Sequence, residues 1–348
     1  MLTTSREQVR AGIAAGGRDV LGYHAWTASL AWPVVDRMET NAAGGDADWD
    51  VSYVYGRWRP HVWGALRRET TFVPVEQTDE SRAPATIVER LTEIGVQVPI
   101  LHLRSAQTVQ VSIVRATDRV TIDETTGQRD RSGVRAAWRY ANAQAPAYGV
   151  SLERGISVGV ATEFVAPALG ASARGGTVTV DARAYLPGLR RHDVVAIRAS
   201  RAATWGNGAI GRLFVLGGGD ASPGPGTIGS DGLHLLRGFP ASTFVGRQAA
   251  IVNLDYRFPI ARPQRGLGAW PFFLHTVHGA IVADAGHAWN ATFDAHAVKL
   301  SVGAELSANV VLGYGLPLTM TAGAARGWDR AHQAAGGTTA YVRIGYAF

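Results

Sequence analysis

Three short patterns in the sequence hold residue types that could support catalysis or ligand binding. The run GNGAIG from Gly206 to Gly211 has the glycine spacing of a dinucleotide-binding turn, but such a turn must lead into a helix that presents amide groups to a phosphate. Residues 212–219, which follow it, have no helical pattern. His275 and His278 are three residues apart, which places them on opposite faces of a strand and argues against a shared metal ion. Serines lie near histidines, but in no arrangement typical of a nucleophile and its base. The sequence therefore predicts no enzyme, no metal site and no cofactor.

An arginine and an aspartate are the remaining candidates. Arg237 lies near the end of a segment, 206–238, that holds eleven glycines and two prolines in 33 residues. A loop of this length in an otherwise regular chain is usually functional or disordered. Asp284 follows about 45 residues later. The role of Arg237 and Asp284 depends on the secondary-structure elements on which they lie.

Those elements are predicted to be strands, because the chain alternates repeatedly between two kinds of residue. The clearest cases are 177–186, 250–258 and 301–312, and a period of two is the signature of a strand. One face of each carries Asp, Arg, Glu or Asn in mid-strand, whereas the other carries small aliphatic residues with aromatic residues near the ends. Apolar faces with terminal aromatics are typical of strands that meet a lipid bilayer. A soluble β-sandwich is the alternative.

The number of strands follows from the same pattern. About fifteen segments alternate, and bacterial single-chain barrels usually have an even number of strands. We therefore predict an all-β, antiparallel transmembrane β-barrel of about sixteen strands, with a single domain over residues 1–348. Leu306 to Ala325 is free of charge and as long as a membrane helix, but Pro317 and the period of two favour strands there.

The end of the sequence also reads as a strand. Val342, Ile344, Tyr346 and Phe348 share one face of it. An exposed apolar terminal strand invites aggregation, unless one face meets lipid and both edges are paired, as in a barrel that closes on its last strand. An ordinary soluble terminal strand is the alternative.

Composition excludes several other classes. Lys299 is the only lysine among 34 basic residues, and the arginines are spread along the chain rather than clustered, so a nucleic-acid partner is not expected. There is no cysteine, which excludes disulfides. Residues 1–10 have no apolar signal-peptide core, so an outer-membrane assignment leads us to expect that the chain is the C-terminal part of a longer protein.

Three motifs in a fixed order resemble the BamA/TamA family of outer-membrane assembly barrels, also called the bacterial surface antigen family. The motifs are Leu236-Arg237-Gly238-Phe239, then Asp284-Ala285-Gly286, then the terminal aromatic strand. The resemblance implies sixteen strands and a long loop, here 206–243, that folds into the lumen with the first motif at its tip. It implies that Asp284 and Gly286 lie on the lumen wall, and that Tyr346 and Phe348 belong to a signal that assembly machinery reads. Two departures are Leu236, where the family has a β-branched residue, and Val282, where it often has Phe or Gly.

The resemblance also implies a function and partners. The expected role is to insert or translocate polypeptides at the outer membrane, with outer-membrane lipid and unfolded outer-membrane or secreted polypeptides as partners. The periplasmic polypeptide-binding modules of the family do not precede the barrel in this sequence, so they are expected in a missing upstream part. A passive channel, or a structural barrel that anchors an upstream periplasmic domain, is the alternative.

Within such a barrel, Arg237 and Asp284 are predicted to meet. Asp284 shares a strand face with Thr276 and His278, opposite Ile281, and so points inward. A planar guanidinium that bridges to a wall carboxylate would hold the loop in a water-filled lumen. The alternative is a solvated arginine on a flexible loop.

Overall fold

The computed structural model describes residues 2–4, 8–36, 47–74, 84–122, 125–146, 148–207, 211–219, 233–241, 243–266, 268–313, 315–329 and 334–344. Over these residues the chain consists of strands and two single 3₁₀ turns, η1 (Pro167–Leu169) and η2 (Ala295–Ala297). The strands are β1 (Leu2–Thr4), β2 (Gln8–Arg18), β3 (His24–Asp36), β4 (Asp48–Tyr55), β5 (His61–Pro74), β6 (Pro84–Leu101), β7 (Ala106–Ile122), β8 (Thr125–Ala141), β9 (Gly155–Val165), β10 (Gly175–Pro187), β11 (Val194–Gly206), β12 (Phe214–Leu216), β13 (Phe244–Gly246), β14 (Gln248–Ala261), β15 (Arg265–Gly266), β16 (Phe272–Trp289), β17 (Lys299–Leu312), β18 (Leu316–Asp329) and β19 (Ala334–Ile344).

Sixteen of these strands form one antiparallel meander. Each pairs with the next one in the chain from β1 to β11, then β11 pairs with β14, β14 with β16, and so on to β19. The two residues of β15 extend the edge of β16, and β12 pairs only with β13 at the base of the long loop. The predicted fold class and strand number are confirmed within the described residues, and the short β1 is the strand that the alternation alone does not reveal.

The sheet curls around the long loop between β11 and β14. Arg212, early in this loop, reaches Glu89 on β6, whereas Arg237, near its end, reaches Glu305 on β17. In a flat sheet β6 and β17 would be eight strand spacings apart, about 40 Å. The two contacts, at strands far apart in the meander, agree with a sheet that curls around the loop. We call the enclosed side of the sheet the lumen.

Burial is inverted relative to a soluble protein. On β14 the polar residues Asn253 and Asp255 are buried, whereas Val252 and Leu254 are 48% and 45% exposed. On β17 Glu305 is buried and Leu306 is 54% exposed. A soluble sandwich buries its apolar faces, so this pattern contradicts that alternative and agrees with a barrel whose apolar face meets lipid.

One residue departs from the pattern that the sequence predicts. Val310 shares the outward face with Val302 and Leu306, but it is buried, with 3% exposure. It pairs with Leu274 and Leu318, next to an irregularity in the β16 register. The exposed apolar face of β17 therefore does not extend to Val310.

The uncharged stretch from Leu306 to Ala325 is not a helix. It forms the end of β17 and most of β18, with the reversal of direction between Leu312 and Leu316. Across the described part of the chain, no helix has the length and apolar character to cross a membrane.

Candidate functional site

The tip of the long loop is buried against the sheet. Leu236 and Phe239 pack in one cluster with residues of β11, β12 and β14, and Phe239 stacks edge-on against Phe244 at 5.1 Å between ring centroids. Leu235 packs in a second cluster with Tyr185, Val194 and Ala196. Burying each of these side chains contributes about 1.5–3 kcal/mol. The apolar residues around Arg237 therefore fix the loop tip to the lumen wall.

The Arg237 side chain is fully buried and binds three carboxylates. Its Nη2 lies 2.5 Å from Asp284 Oδ1 and 2.7 Å from Asp255 Oδ1, and its Nη1 lies 3.2 Å from Glu305 Oε1. Nε donates to Asp284 as well, at 3.0 Å to Oδ2. The Arg237 backbone N–H donates to the same Oδ2 at 3.0 Å. Asp284 thus holds both the guanidinium and the backbone of the loop tip.

The charges at this site balance. Arg257 Nη2 donates to Asp255 at 2.9 Å, and Arg343 Nη2 donates to Glu305 at 3.0 Å. Three guanidinium groups therefore meet three carboxylates. A buried ion pair is stable only when its charges are compensated, and this network balances them, although Arg343 Nε is buried with no hydrogen-bond partner among the described residues. We call it the tip network: Arg237, Asp255, Arg257, Asp284, Glu305 and Arg343.

Neutral groups add further hydrogen bonds to the carboxylates. Asn253 Nδ2 donates to Asp284 Oδ1 at 2.8 Å and to the Leu235 carbonyl at 2.7 Å. Ser301 Oγ donates to Asp284 Oδ2 at 3.0 Å, and Tyr341 Oη donates to Glu305 Oε1 at 2.8 Å. Asn253, Asp284 and Ser301 are aligned across β14, β16 and β17, so the strand register itself brings these partners together.

The electrostatics keep Arg237 charged. Burial favours the neutral form of the side chain, but the surrounding carboxylates outweigh this effect and hold the pKa of Arg237 well above its ordinary value. A guanidinium that stays charged can act as a permanent link between loop and wall.

The two glycines of the predicted motifs have different surroundings. A Cβ at Gly238 would lie 2.5 Å from Ser301 Cβ and 2.6 Å from the Gly327 backbone nitrogen. A Cβ at Gly286 would find its nearest atom, Ile251 Cγ1, at 3.4 Å, which is an ordinary contact. Close approach of the loop to the wall therefore requires a glycine at 238 but not at 286.

The beginning of the loop has an anchor of its own on the opposite wall. Arg212 Nη2 lies 3.2 Å from Glu89 Oε1, and Arg131 on β8 binds the other oxygen of Glu89 at 2.7 Å. Arg129 donates to the Gly211 carbonyl at 3.4 Å. In the middle of the loop, the Gly219 carbonyl accepts from Arg343 of β19 at 2.7 Å. The loop is therefore held on three separate parts of the wall.

Most of the residues that the sequence predicts for the site lie close together in the structure. Arg237 and Asp284 are in direct contact, Leu236 and Phe239 are buried beside them, and Gly286 lies near Leu236. The functional roles of these residues remain predictions. Tyr346 and Phe348 lie outside the described residues. The sequence pattern did not indicate Asp255 and Glu305 as partners of Arg237, although both lie on polar strand faces.

Within the described residues no group of three or more His, Asp and Glu side chains is placed to hold a metal ion. His278 is buried on the lumen side, whereas His275 is half-buried and hydrogen-bonds to Thr276 at 2.7 Å.

Comparison with known proteins gives the fold. No protein-family model and no curated protein matches the sequence. The structure is similar to CdiB from Escherichia coli, with a TM-score of 0.67 and 12% identity over 98% of this chain and 60% of that chain. It is similar to CdiB from Acinetobacter baumannii, with a TM-score of 0.64 and 9% identity over 97% of this chain and 56% of that chain. It is also similar to BamA from Haemophilus ducreyi lacking POTRA domains 1–3, with a TM-score of 0.62 and 13% identity over 97% of this chain and 67% of that chain.

These likenesses establish a shared barrel fold. The resemblance to BamA-like barrels that the motifs indicate is confirmed at that level. This chain spans about 60% of the length of the CdiB chains it matches.

Proposed function

We propose that this chain, which has the fold of the CdiB and BamA barrels, is an outer-membrane β-barrel that inserts or translocates polypeptides. The observation that carries the proposal is the loop tip, held in the lumen by Arg237 against three carboxylates. The motif order that the chain shares with BamA/TamA-like barrels supports the same role. We further propose that residues 1–348 form a single domain and that its function involves no catalytic chemistry.

The inverted burial supports a membrane location. Val252, Leu254, Val302 and Leu306 are exposed on one surface of the sheet, and large exposed apolar surfaces on a protein mark a surface that is covered. Lipid covers such a surface on a barrel, while the charged residues face the lumen. The proposed partners are therefore outer-membrane lipid on the outside and an unfolded polypeptide at the barrel.

The lumen contents favour polypeptide handling over a passive channel. A porin keeps an aqueous path for ions through its lumen. Here one loop is anchored to β6, β19 and the β14–β17 wall. A lumen crossed by an anchored loop should conduct few ions while the loop stays in place.

The direct test uses the purified barrel in lipid vesicles. A small outer-membrane barrel polypeptide, unfolded in urea, is diluted into the vesicles, and its conversion to a protease-resistant, heat-modifiable form is followed over time. We expect faster conversion than in empty vesicles, and a rate near that of empty vesicles for Arg237→Ala. Arg135→Ala is the matched control, because it breaks a buried ion pair with Glu93 between two strands and should leave the rate unchanged.

Two outcomes would contradict the proposal. Conversion that is no faster than in empty vesicles would contradict the proposed role in inserting polypeptides. High steady ion conductance of the wild-type barrel in a planar bilayer, with Arg237→Ala no higher, would favour the passive channel.

A further inference from the structure

The turns at one end of the sheet share a composition that the tip network does not explain. Because the strands are antiparallel neighbours, the turns after β2, β4, β6, β8, β10, β14 and β17 lie at the end opposite the long loop. Five of these seven, those after β2, β4, β6, β10 and β14, have a highly exposed apolar residue at the tip. Leu103 is 99% exposed, Leu189 is 92% exposed and Trp270 is 78% exposed. The complete set is Val20, Trp58, Leu103, Leu189 and Trp270.

Arginines flank most of these tips. Trp58 lies between Arg57 and Arg59, Leu103 precedes an arginine, and Leu189 precedes two. Among the described residues, no carboxylate lies within ion-pairing distance of these guanidinium groups. We call these exposed residues the turn rim: Arg57, Trp58, Arg59, Leu103, Arg104, Leu189, Arg190, Arg191, Arg265 and Trp270.

We propose that the turn rim binds the phosphate headgroups of anionic phospholipid in the leaflet that surrounds this end of the barrel. The proposal rests on the proposed membrane location. Apolar tips next to arginines suit the headgroup region, where Trp and Leu contact the acyl boundary and the guanidinium groups reach phosphate. The guanidinium fork also matches phosphate geometry.

The distribution of the tips favours lipid over an acidic protein. The tips occur on turns from β2 to β16, and so along most of the meander rather than at one patch. A protein partner would bury one contiguous patch, whereas lipid surrounds a barrel. The short turns at this end are also typical of the periplasmic side of outer-membrane barrels.

The test measures lipid binding to the folded barrel in detergent. Native mass spectrometry with added phosphatidylglycerol or phosphatidylcholine gives an apparent affinity for each lipid. We expect at least about a hundredfold preference for phosphatidylglycerol, because several arginines contribute. Each arginine near an anionic surface contributes on the order of fivefold in affinity. The triple variant R104Q/R190Q/R191Q should therefore bind phosphatidylglycerol about a hundredfold more weakly, whereas its affinity for phosphatidylcholine should change little.

Two further variants separate charge from apolar contact. R104K/R190K/R191K keeps the charge and should retain most of the preference. L103S/L189S should lower the affinity for both lipids to a similar extent.

Three results would overturn the proposal: equal affinity for the two lipids, no loss in the glutamine triple variant, or displacement of phosphatidylglycerol by polyglutamate at equal concentration, which would identify an acidic polypeptide as the partner. A barrel that folds and inserts but shows any of these results leaves the proposed function standing. A chain that yields no membrane-inserted barrel overturns both proposals.

Discussion

Arg237 and Asp284 form a two-point contact in which the guanidinium and the backbone N–H of one loop residue bind a single carboxylate. Nη2 lies 2.5 Å from Oδ1, and the backbone nitrogen lies 3.0 Å from Oδ2. Both side chains are almost fully buried. Asp284 therefore fixes the position of the loop backbone at Arg237 and also compensates the charge of the Arg237 side chain.

Arg237→Ala should loosen the loop while leaving the strands paired. The change leaves three carboxylates facing only Arg257 and Arg343, and breaking a buried pair costs about 3–5 kcal/mol. Urea unfolding in vesicles should show this loss, and limited proteolysis should cut the loop faster. Arg135→Ala should lower stability without exposing the loop. A loop equally resistant to protease in wild type and Arg237→Ala would contradict the assignment of Arg237 as the anchor.

Gly238→Ala should displace the loop tip, because the new methyl group would meet Ser301 and the Gly327 backbone. Overpacking of this kind typically costs about 1–3 kcal/mol. Gly286→Ala is the matched control, since a Cβ there makes only ordinary contacts, and its cost should stay below about 1 kcal/mol. Equal losses in urea unfolding at both positions would show that the loop does not approach the wall at Gly238.

Leu306→Arg should cost about 2–4 kcal/mol in lipid, as an arginine on the outward face near the bilayer midplane does. Its neighbour Ser307 faces the lumen, is buried and hydrogen-bonds to Thr321 at 2.7 Å. Ser307→Ala, which loses one hydrogen bond, should cost about 1 kcal/mol. Arginine at Ser307 is a poor control, because the side chain lines a small cavity beside Arg257 and Arg343. If Leu306→Arg were no costlier than Ser307→Ala, the orientation of β17 would be wrong.

Arg212→Ala should free the beginning of the loop, with a smaller loss in the free energy of unfolding than Arg237→Ala causes. The Arg212 and Glu89 side chains are 23% and 24% exposed, and a partly solvated pair contributes under about 1 kcal/mol. The two anchors lie on opposite walls, so the double variant with Arg237→Ala should lose the sum of the two single losses within about 0.5 kcal/mol. A large departure from additivity in urea unfolding would mean that the anchors are coupled.

The sequence predicted the parts of this structure that depend on local pattern. Period-two alternation places Asp255, Asp284 and Glu305 on inward faces, and the order of the short motifs pairs Arg237 with Asp284. It did not predict that Asp255 and Glu305 also bind Arg237. That contact depends on the registers of β14, β16 and β17 and on how deeply the loop tip sits, which no local pattern specifies.

The second anchor was missed for a related reason. Arg212 and Glu89 are 123 residues apart in sequence, and no local pattern indicates that they meet. The buried position of Val310 likewise follows from its neighbours on adjacent strands, because alternation gives the side of a residue but not what covers it.

The most direct test of the central claim, that the loop lies in the lumen held by Arg237, is an engineered disulfide. A Cβ at Gly219 would contact the ring of Tyr341 on β19, so cysteines at the two positions should fall within the Cβ–Cβ range of about 3.5–4.5 Å that a disulfide needs. The native chain has no cysteine, which leaves Gly219→Cys/Tyr341→Cys as the only possible intramolecular pair. Mild oxidation of the folded barrel should convert nearly all of it to the cross-linked form, detected by mass after protease cleavage, and adding Arg237→Ala should slow the reaction several-fold. A pair that stays reduced in the folded barrel, or that oxidises equally fast with and without Arg237, would contradict the account.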